Sequence, residues 1–139
     1  MENGVNLPIK IIFDSNFLLI QAQFCINIYE ELEKLLNRKI EKIVISPIYE
    51  ELQRLTKRKK IKERKNALMT LQFIKNFDIV KVEKLQNETV DNLIIRLAKK
   101  WNSPVATNDK ELKRSLRNRG ISVIYLRQKS RLEIEGMIK

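Results

Sequence analysis

A chain of 139 residues with a net charge of +11, one cysteine and no histidine has room for one domain with its own core, not two. Ser–His and Cys–His catalysis and His-ligated zinc are excluded. An internal disulfide is impossible, and Gly4, Gly120 and Gly136, the only glycines, cannot build a P-loop or a dinucleotide fingerprint.

The predicted elements alternate along the chain. Ile9-Lys10-Ile11-Ile12-Phe13 reads as a buried strand ending at Asp14. Residues 16–36 are densely apolar, then amphipathic through Ile28, Leu32, Leu35 and Leu36, as in one long helix. Ile43-Val44-Ile45 is a second strand, after which Ser46 and Pro47 suit the N-cap and first position of a helix. Residues 54–65 carry the densest basic cluster, including Lys57, Arg58, Lys59 and Lys60. Helical spacing follows through Leu68, Leu71, Phe73, Ile74 and Phe77. Residues 79–82 form a third strand, 89–101 a helix, Val105-Ala106 a fourth strand and 110–119 a helix ended by Gly120. Residues 121–126 form a fifth strand. The expected organisation is a domain over 1–127 and a polar C-terminal tail over 128–139. Short apolar strands alternating with helices predict an α/β sandwich on a mostly parallel sheet of about five strands.

No apolar run approaches the ~20 residues that span a bilayer, and no basic region leads into an apolar stretch at the N-terminus. With one cysteine, these features point to a cytoplasmic protein without membrane association. The excess of cations favours a nucleic acid partner, because each phosphate neutralised releases condensed counterions.

Against this basic background the acids are informative. The chain has four Asp residues. Asp14 follows the first strand, and Asp109 follows the fourth by way of Thr107-Asn108; sites of α/β folds lie beyond the carboxyl ends of strands. At ~100° per residue, Glu51 falls beside the apolar stripe of Ile48, Leu52 and Leu55, with Glu50 pointing away. Asp91 likewise falls beside Ile94, Ala98 and Trp101, whereas Asn92 shares the polar face with Arg96, Lys99 and Lys100. Each acid also has a structural reading: Asp14 in a turn, Glu51 and Asp91 against a helix dipole, Asp109 likewise with Asn108 as N-cap and Glu111 reaching back. Four together suggest a shared hard cation, Mg²⁺ or Mn²⁺, which can activate water and offset charge on a phosphodiester.

The same residues carry a resemblance. Asp14-Ser15-Asn16-Phe17-Leu18 resembles the D-[ST]-N-x-L opening of the PIN-domain ribonucleases, and Glu51-Leu52 their Glu-Leu pair. Asp91 through Ala98 resembles the D-x-x-I-x-x-x-A helix, and Thr107-Asn108-Asp109 the T-N-D signature. Order and spacing agree along nearly the whole chain. The resemblance implies a three-layer α/β/α fold and a pocket of Asp14, Glu51, Asp91 and Asp109 holding one or two Mg²⁺ or Mn²⁺ ions. Asn16, Thr107 and Asn108 would support it, and RNA would be cut to 5′-phosphate and 3′-hydroxyl ends. The C-terminal third is most similar to archaeal relatives of the PIN nucleases that process small-subunit pre-rRNA. Members near that group often carry a second acid where Asn92 stands.

Three functions follow: a metal-dependent endoribonuclease in rRNA maturation, acting on an rRNA precursor; a toxin-type ribonuclease with an antitoxin partner; and a non-catalytic RNA-binding assembly factor. A homodimer is expected from relatives. Lys110, Lys113, Arg114, Arg117 and Arg119, following the proposed site, are the leading RNA-phosphate contacts, ahead of the 57–60 cluster. Cys25 reads as a buried structural thiol, Trp101 as packing and Asp78 as a turn residue. A receiver domain would need an acidic pair after the first strand, and a haloacid-type phosphatase D-x-D at Asp14-Ser15-Asn16; neither is present.

Overall fold

The computed structural model describes residues 7–24, 27–128 and 131–138. In chain order these form β1 (Ile9–Phe13), α1 (Ser15–Phe24), α2 (Ile28–Leu36), β2 (Ile40–Ile45), α3 (Ser46–Leu55) and α4 (Ile61–Phe73). A 3₁₀ turn (Ile74–Asn76), β3 (Asp78–Val80), α5 (Val90–Trp101), β4 (Val105–Ala106), α6 (Lys110–Asn118), β5 (Val123–Arg127) and β6 (Arg131–Glu135) complete the chain. The strands make one sheet in the order β3-β2-β1-β4-β5-β6. The first five are parallel, and β6 alone runs antiparallel, against β5.

Position in the sheet explains composition. β1 lies inside, between β2 and β4, and its Ile11, Ile12 and Phe13 are fully buried. This is why it reads as an apolar run rather than an alternation. β3, at one edge, is three residues long and mostly exposed. Right-handed crossovers carry the chain one way from β1 through β2 to β3, then back across to β4 and β5. The helices before β3 therefore lie on one face and α5 and α6 on the other, giving three layers. Phe13 anchors the first face, with ring centroids 5.7 Å from Phe17 and 5.2 Å from Phe77.

Several sequence expectations change. The long helix over 16–36 is two helices, because Asn27 caps α2 by accepting from the Glu30 N–H at 3.2 Å; continuous hydrophobicity concealed the break. Cys25 lies outside the described residues. Ser46 makes no cap: Ile45 occupies that position, and the Ser46 hydroxyl instead bonds the main-chain N and O of Val82 at 3.1 and 3.3 Å. α4 buries the small residues Ala67 and Thr70, which lets it pack against α1 and α3, and Leu68 is left 54% exposed. Asp78 opens β3 opposite Ile43 rather than making a turn. Trp101 packs partly against the core, as expected.

The sheet has six strands rather than about five, because the segment expected as a polar tail supplies β6. Arg131-Leu132-Glu133-Ile134-Glu135 alternates with the period of a strand. Leu132 is 6% exposed, and five residue pairs join β6 to β5. Composition outweighed periodicity in the sequence reading.

Candidate active site

A doubly wound sheet leaves its crevice where successive crossovers diverge. Here that point lies between β1 and β4, and Asp14 and Thr107-Asn108-Asp109 stand at their carboxyl ends. Hydrogen bonds join the two strand ends. The Asp14 N–H donates to the Ala106 carbonyl at 2.9 Å. The buried Thr107 hydroxyl donates to Asp14 Oδ2 at 2.7 Å, and Thr107 Oγ1 in turn accepts from the Asp109 N–H at 3.1 Å. Asn16 Oδ1 accepts from the Asn108 N–H at 3.1 Å. The Asn108 side chain turns toward β5: its Nδ2 donates to the Leu126 carbonyl and its Oδ1 accepts from the Leu126 N–H, both at 3.0 Å. Asn108 thereby imitates one more peptide in the β4–β5 ladder.

Asp109, not Asn108, caps α6. Its Oδ1 accepts from the N–H groups of Glu111 and Leu112 at 2.9 and 3.0 Å, and its Oδ2 has no partner among the described residues. One carboxylate therefore serves both readings of Asp109, holding the helix with one oxygen and leaving the other free.

Asp14 is 7% exposed. Burial pushes its carboxyl up to about 6, against the pull of the Thr107 and Ser15 hydrogen bonds, and the charges of Asp91 and Glu51 push the same way. Asp91, at the start of α5 and largely exposed, is also raised, by partial desolvation and then by Asp109 and Glu111. Asp14 thus feels the charges of Asp91 and Glu51, and Asp91 those of Asp109 and Glu111. No three acidic side chains converge into a closed ligand set among the described residues. None of these acids is paired with Lys or Arg among the described residues, despite the excess of cations. Glu51 is half-buried on α3. Asn92 is exposed, as its helical phase predicts.

Glu111 was missed. Read as a capping partner, it supplies only its N–H to Asp109, while its charge acts on Asp91. Its place in the first turn of α6, two residues beyond Asp109, was the available signal.

Thr107→Val tests the junction. Removing the hydroxyl leaves the Asp109 N–H and one Asp14 oxygen without a partner, at a cost of roughly 1–3 kcal/mol. The chemical denaturation midpoint in EDTA is expected to fall accordingly, and Thr107→Ser to stay near wild type. Equal losses in both variants would place the effect in packing of the methyl group.

The proposed RNA contacts divide in two. Lys113 lies 2.8 Å from Glu135 and 3.8 Å above the Tyr125 ring. Arg117 donates to the Ile121 carbonyl and Arg119 to the Ser115 carbonyl; Lys113 and Arg117 thus brace α6 against the β5–β6 side. Lys110 and Arg114 are exposed with no partner among the described residues. Lys57, Arg58, Lys59 and Lys60 are exposed in the α3–α4 turn. Arg64, from the same basic cluster, fixes that turn by donating to the Arg58 and Lys59 carbonyls at 3.2 and 3.3 Å.

The model of a PIN-like domain matches residues 11–129. The chain belongs to the PIN-domain family. Among its PIN relatives, Ribonuclease VapC4 of Methanocaldococcus jannaschii is 40% identical over 132 residues, 93% of this chain and 98% of that protein. Ribonuclease VapC9 of Archaeoglobus fulgidus is 36% identical over 74 residues, 53% of this chain and 52% of its own length. The PIN domain endonuclease Utp24 shares the fold with a TM-score of 0.74 at 23% identity, over 95% of each chain. A chain of the VapBC2 structure from Rickettsia felis, bound to a DNA fragment from their promoter, aligns with a TM-score of 0.58 at 20% identity, over 76% of this chain and 92% of that one. The family expected from the resemblance is thus the one that the chain matches. No helix among the described residues is long and apolar enough to cross a membrane.

Proposed function

We propose that this PIN domain is a divalent-metal-dependent endoribonuclease. The observation that supports it most is the set of Asp14, Glu51, Asp91 and Asp109 around the switch point, without a cationic partner among the described residues in a chain of charge +11. Carboxylates that influence one another without counterions suit Mg²⁺ or Mn²⁺, for which oxygen donors are the favoured ligands. These four would hold one or two ions, with Glu111 available beside Asp91. A bound ion would supply activation of water and charge stabilisation at the phosphodiester.

The chain's own groups supply the rest. Thr107 orients Asp14 through the 2.7 Å bond, and the α6 N–H groups fix one oxygen of Asp109 so that the other points outward. Lys110 and Arg114, with the 57–60 cluster, would provide exposed cations for the RNA backbone. Hydrolysis adds water across the P–O3′ bond, leaving a 5′-phosphate and a 3′-hydroxyl.

RNA as substrate is supported by the 40% identical relative, named a ribonuclease over nearly the whole of both chains. That likeness to VapC proteins also favours a role with a small partner protein of the antitoxin kind over one in pre-rRNA processing, for which the fold of Utp24 at 23% identity is the support.

The decisive experiment is cleavage of structured and single-stranded RNA with Mn²⁺, Mg²⁺ or EDTA, comparing wild type with Asp109→Asn. Cutting that needs the metal and is lost in the variant, with RNA binding retained, is the expected result. Activity that persists in EDTA would remove the metal from the reading, and binding without cutting in wild type would make the chain an RNA-binding factor.

A further inference from the structure

Asp91 reaches the pocket from the first turn of α5, and a helix's first turn is not held by the helix itself. Its N–H groups lack intrahelical partners, and such ends belong to the least stable parts of a fold. Asp109 and Glu111 also repel the Asp91 carboxylate. Something else must keep it in place.

The residues before α5 are tied down unusually well. Thr89 caps the helix, its Oγ1 accepting from the Asn92 N–H at 3.1 Å. Immediately before it, Glu88 closes a tight turn over 85–88. The Glu88 N–H donates to the Leu85 carbonyl at 3.0 Å, and the Leu85 N–H donates to Glu88 Oε1 at 2.9 Å. Asn87 takes the left-handed conformation, φ 63°, that the turn requires. Arg96, more than a turn beyond Asp91 on α5, comes back to the same carboxylate. Its Nε donates to Oε2 and its Nη2 to Oε1, both at 2.9 Å, and Nη2 also reaches the Glu83 carbonyl at 3.0 Å. The Glu88 side chain is only 9% exposed and that of Arg96 35%.

We propose that Arg96 and Glu88 are positioning residues for Asp91: their two-bond clamp closes the segment from 88 to 96 into a ring and fixes the entry of α5. This sets where the Asp91 carboxylate meets the region shared with Asp14 and Asp109. The inference rests on the acidic pocket being the metal-dependent centre described above.

The geometry calls for a guanidinium. A planar fork makes two parallel bonds to one carboxylate and spares a third donor for Glu83; a lysine ammonium at the same place keeps the charge but cannot reproduce that pattern. Sites of this kind tolerate displacements of only about 0.5 Å in the groups that act, so a loosened helix start affects the site before it affects the fold. The sequence reading placed Arg96 on a solvated basic face because its partner lies outside the helix.

The test uses the full chain with Arg96→Met, Arg96→Lys, Glu88→Gln and the reversed pair Glu88→Arg/Arg96→Glu. Three quantities are read: Mn²⁺ affinity by calorimetry without RNA, amide exchange of residues 92–95 in EDTA, and kcat and KM for RNA cleavage. In all three single variants exchange is expected to quicken and Mn²⁺ to bind about tenfold more weakly, the scale seen when groups that orient metal ligands are removed. kcat should fall with KM nearly unchanged, and the reversed pair should recover part of each loss. Faster exchange with wild-type Mn²⁺ affinity and kcat would overturn the inference, as would wild-type behaviour of Arg96→Lys. Wild type that binds no Mn²⁺ would remove the metal centre itself, and this inference with it. Mn²⁺ binding that is lost in Asp14→Asn but untouched in Arg96→Met would leave the centre standing and sink only the clamp.

Discussion

Asp14→Asn is expected to slow RNA cleavage at least a hundredfold while raising the melting temperature of the metal-free protein. The two effects share one cause. The Asp14 carboxyl is buried among other acids and its pKa is raised from 3.8 to about 6, so the folded chain binds that proton more tightly than the unfolded chain. Its stabilising contribution is therefore complete below about pH 4 and is lost as pH rises through about 6. At neutral pH the ionised group opposes folding by roughly 3 kcal/mol. Asparagine keeps the shape without the charge. Its Oδ1 can accept from the Ser15 N–H, and its Nδ2 can donate to Thr107 Oγ1, whose hydroxyl is free to rotate toward Asn16.

In EDTA at pH 7.5 the variant should melt higher by about 10 °C, and the gap should shrink toward pH 4. Mn²⁺ is expected to raise the melting point of wild type only, by mass action on the folded state. Cleavage should drop by roughly 10²- to 10³-fold, the scale of losing one preorganised electrostatic contact. A variant less stable than wild type in EDTA at pH 7.5 would show that the charge of Asp14 is compensated by something other than a metal.

Ending the chain at Arg127 is expected to have a comparable effect of opposite sign. The cut removes Leu132 from the core and Ile134 from its margin, all five β5–β6 pairs, the Lys113–Glu135 ion pair and the bond from the Ser122 hydroxyl to the Met137 carbonyl. Lost apolar burial and orphaned polar groups sum to roughly 3–5 kcal/mol, a large share of the 5–15 kcal/mol typical of whole domains. β5 would become an open edge of mostly apolar residues, an invitation to pair with other chains. Lower denaturation midpoints together with concentration-dependent aggregation are the expected readouts. A truncated chain as stable and monodisperse as the full one would mean that β6 decorates the sheet rather than completing it.

The fold was legible where one residue type had a single job. β1, β2 and β4 were visible because buried parallel strands are apolar throughout, and α5 because its stripe is clean. Three placements escaped for different physical reasons. The α1–α2 break goes with the Asn27 side chain, which bonds Glu30 twice, a signal invisible beneath continuous hydrophobicity. Ser46 has the composition of a cap, but its hydroxyl is engaged by Val82, far along the chain. β6 has the right alternation, yet its exposed faces are charged. In the candidate site, strand ends singled out Asp14 and Asp109, and helical phase Glu51 and Asp91. Glu111 escaped because its first-turn position already had a sufficient explanation. The cations were harder still, since composition cannot distinguish an arginine that braces a helix from one that waits for phosphate.

The short fourth strand has a consequence for how the pocket is supplied. Val105 and Ala106 make up the strand, the Thr107 N–H still donates to the Ile124 carbonyl at 2.9 Å, and Asn108 then adds a further rung with its side chain rather than its backbone. The main chain is thereby released early from the sheet, while the sheet's cohesion carries on for one more step. The N-cap carboxylate of the next helix arrives three residues after the last strand residue, with no loop between them to wander. The acid proposed to act is delivered here by shortening a strand rather than by growing a loop, and of the three letters in Thr107-Asn108-Asp109, two are joinery.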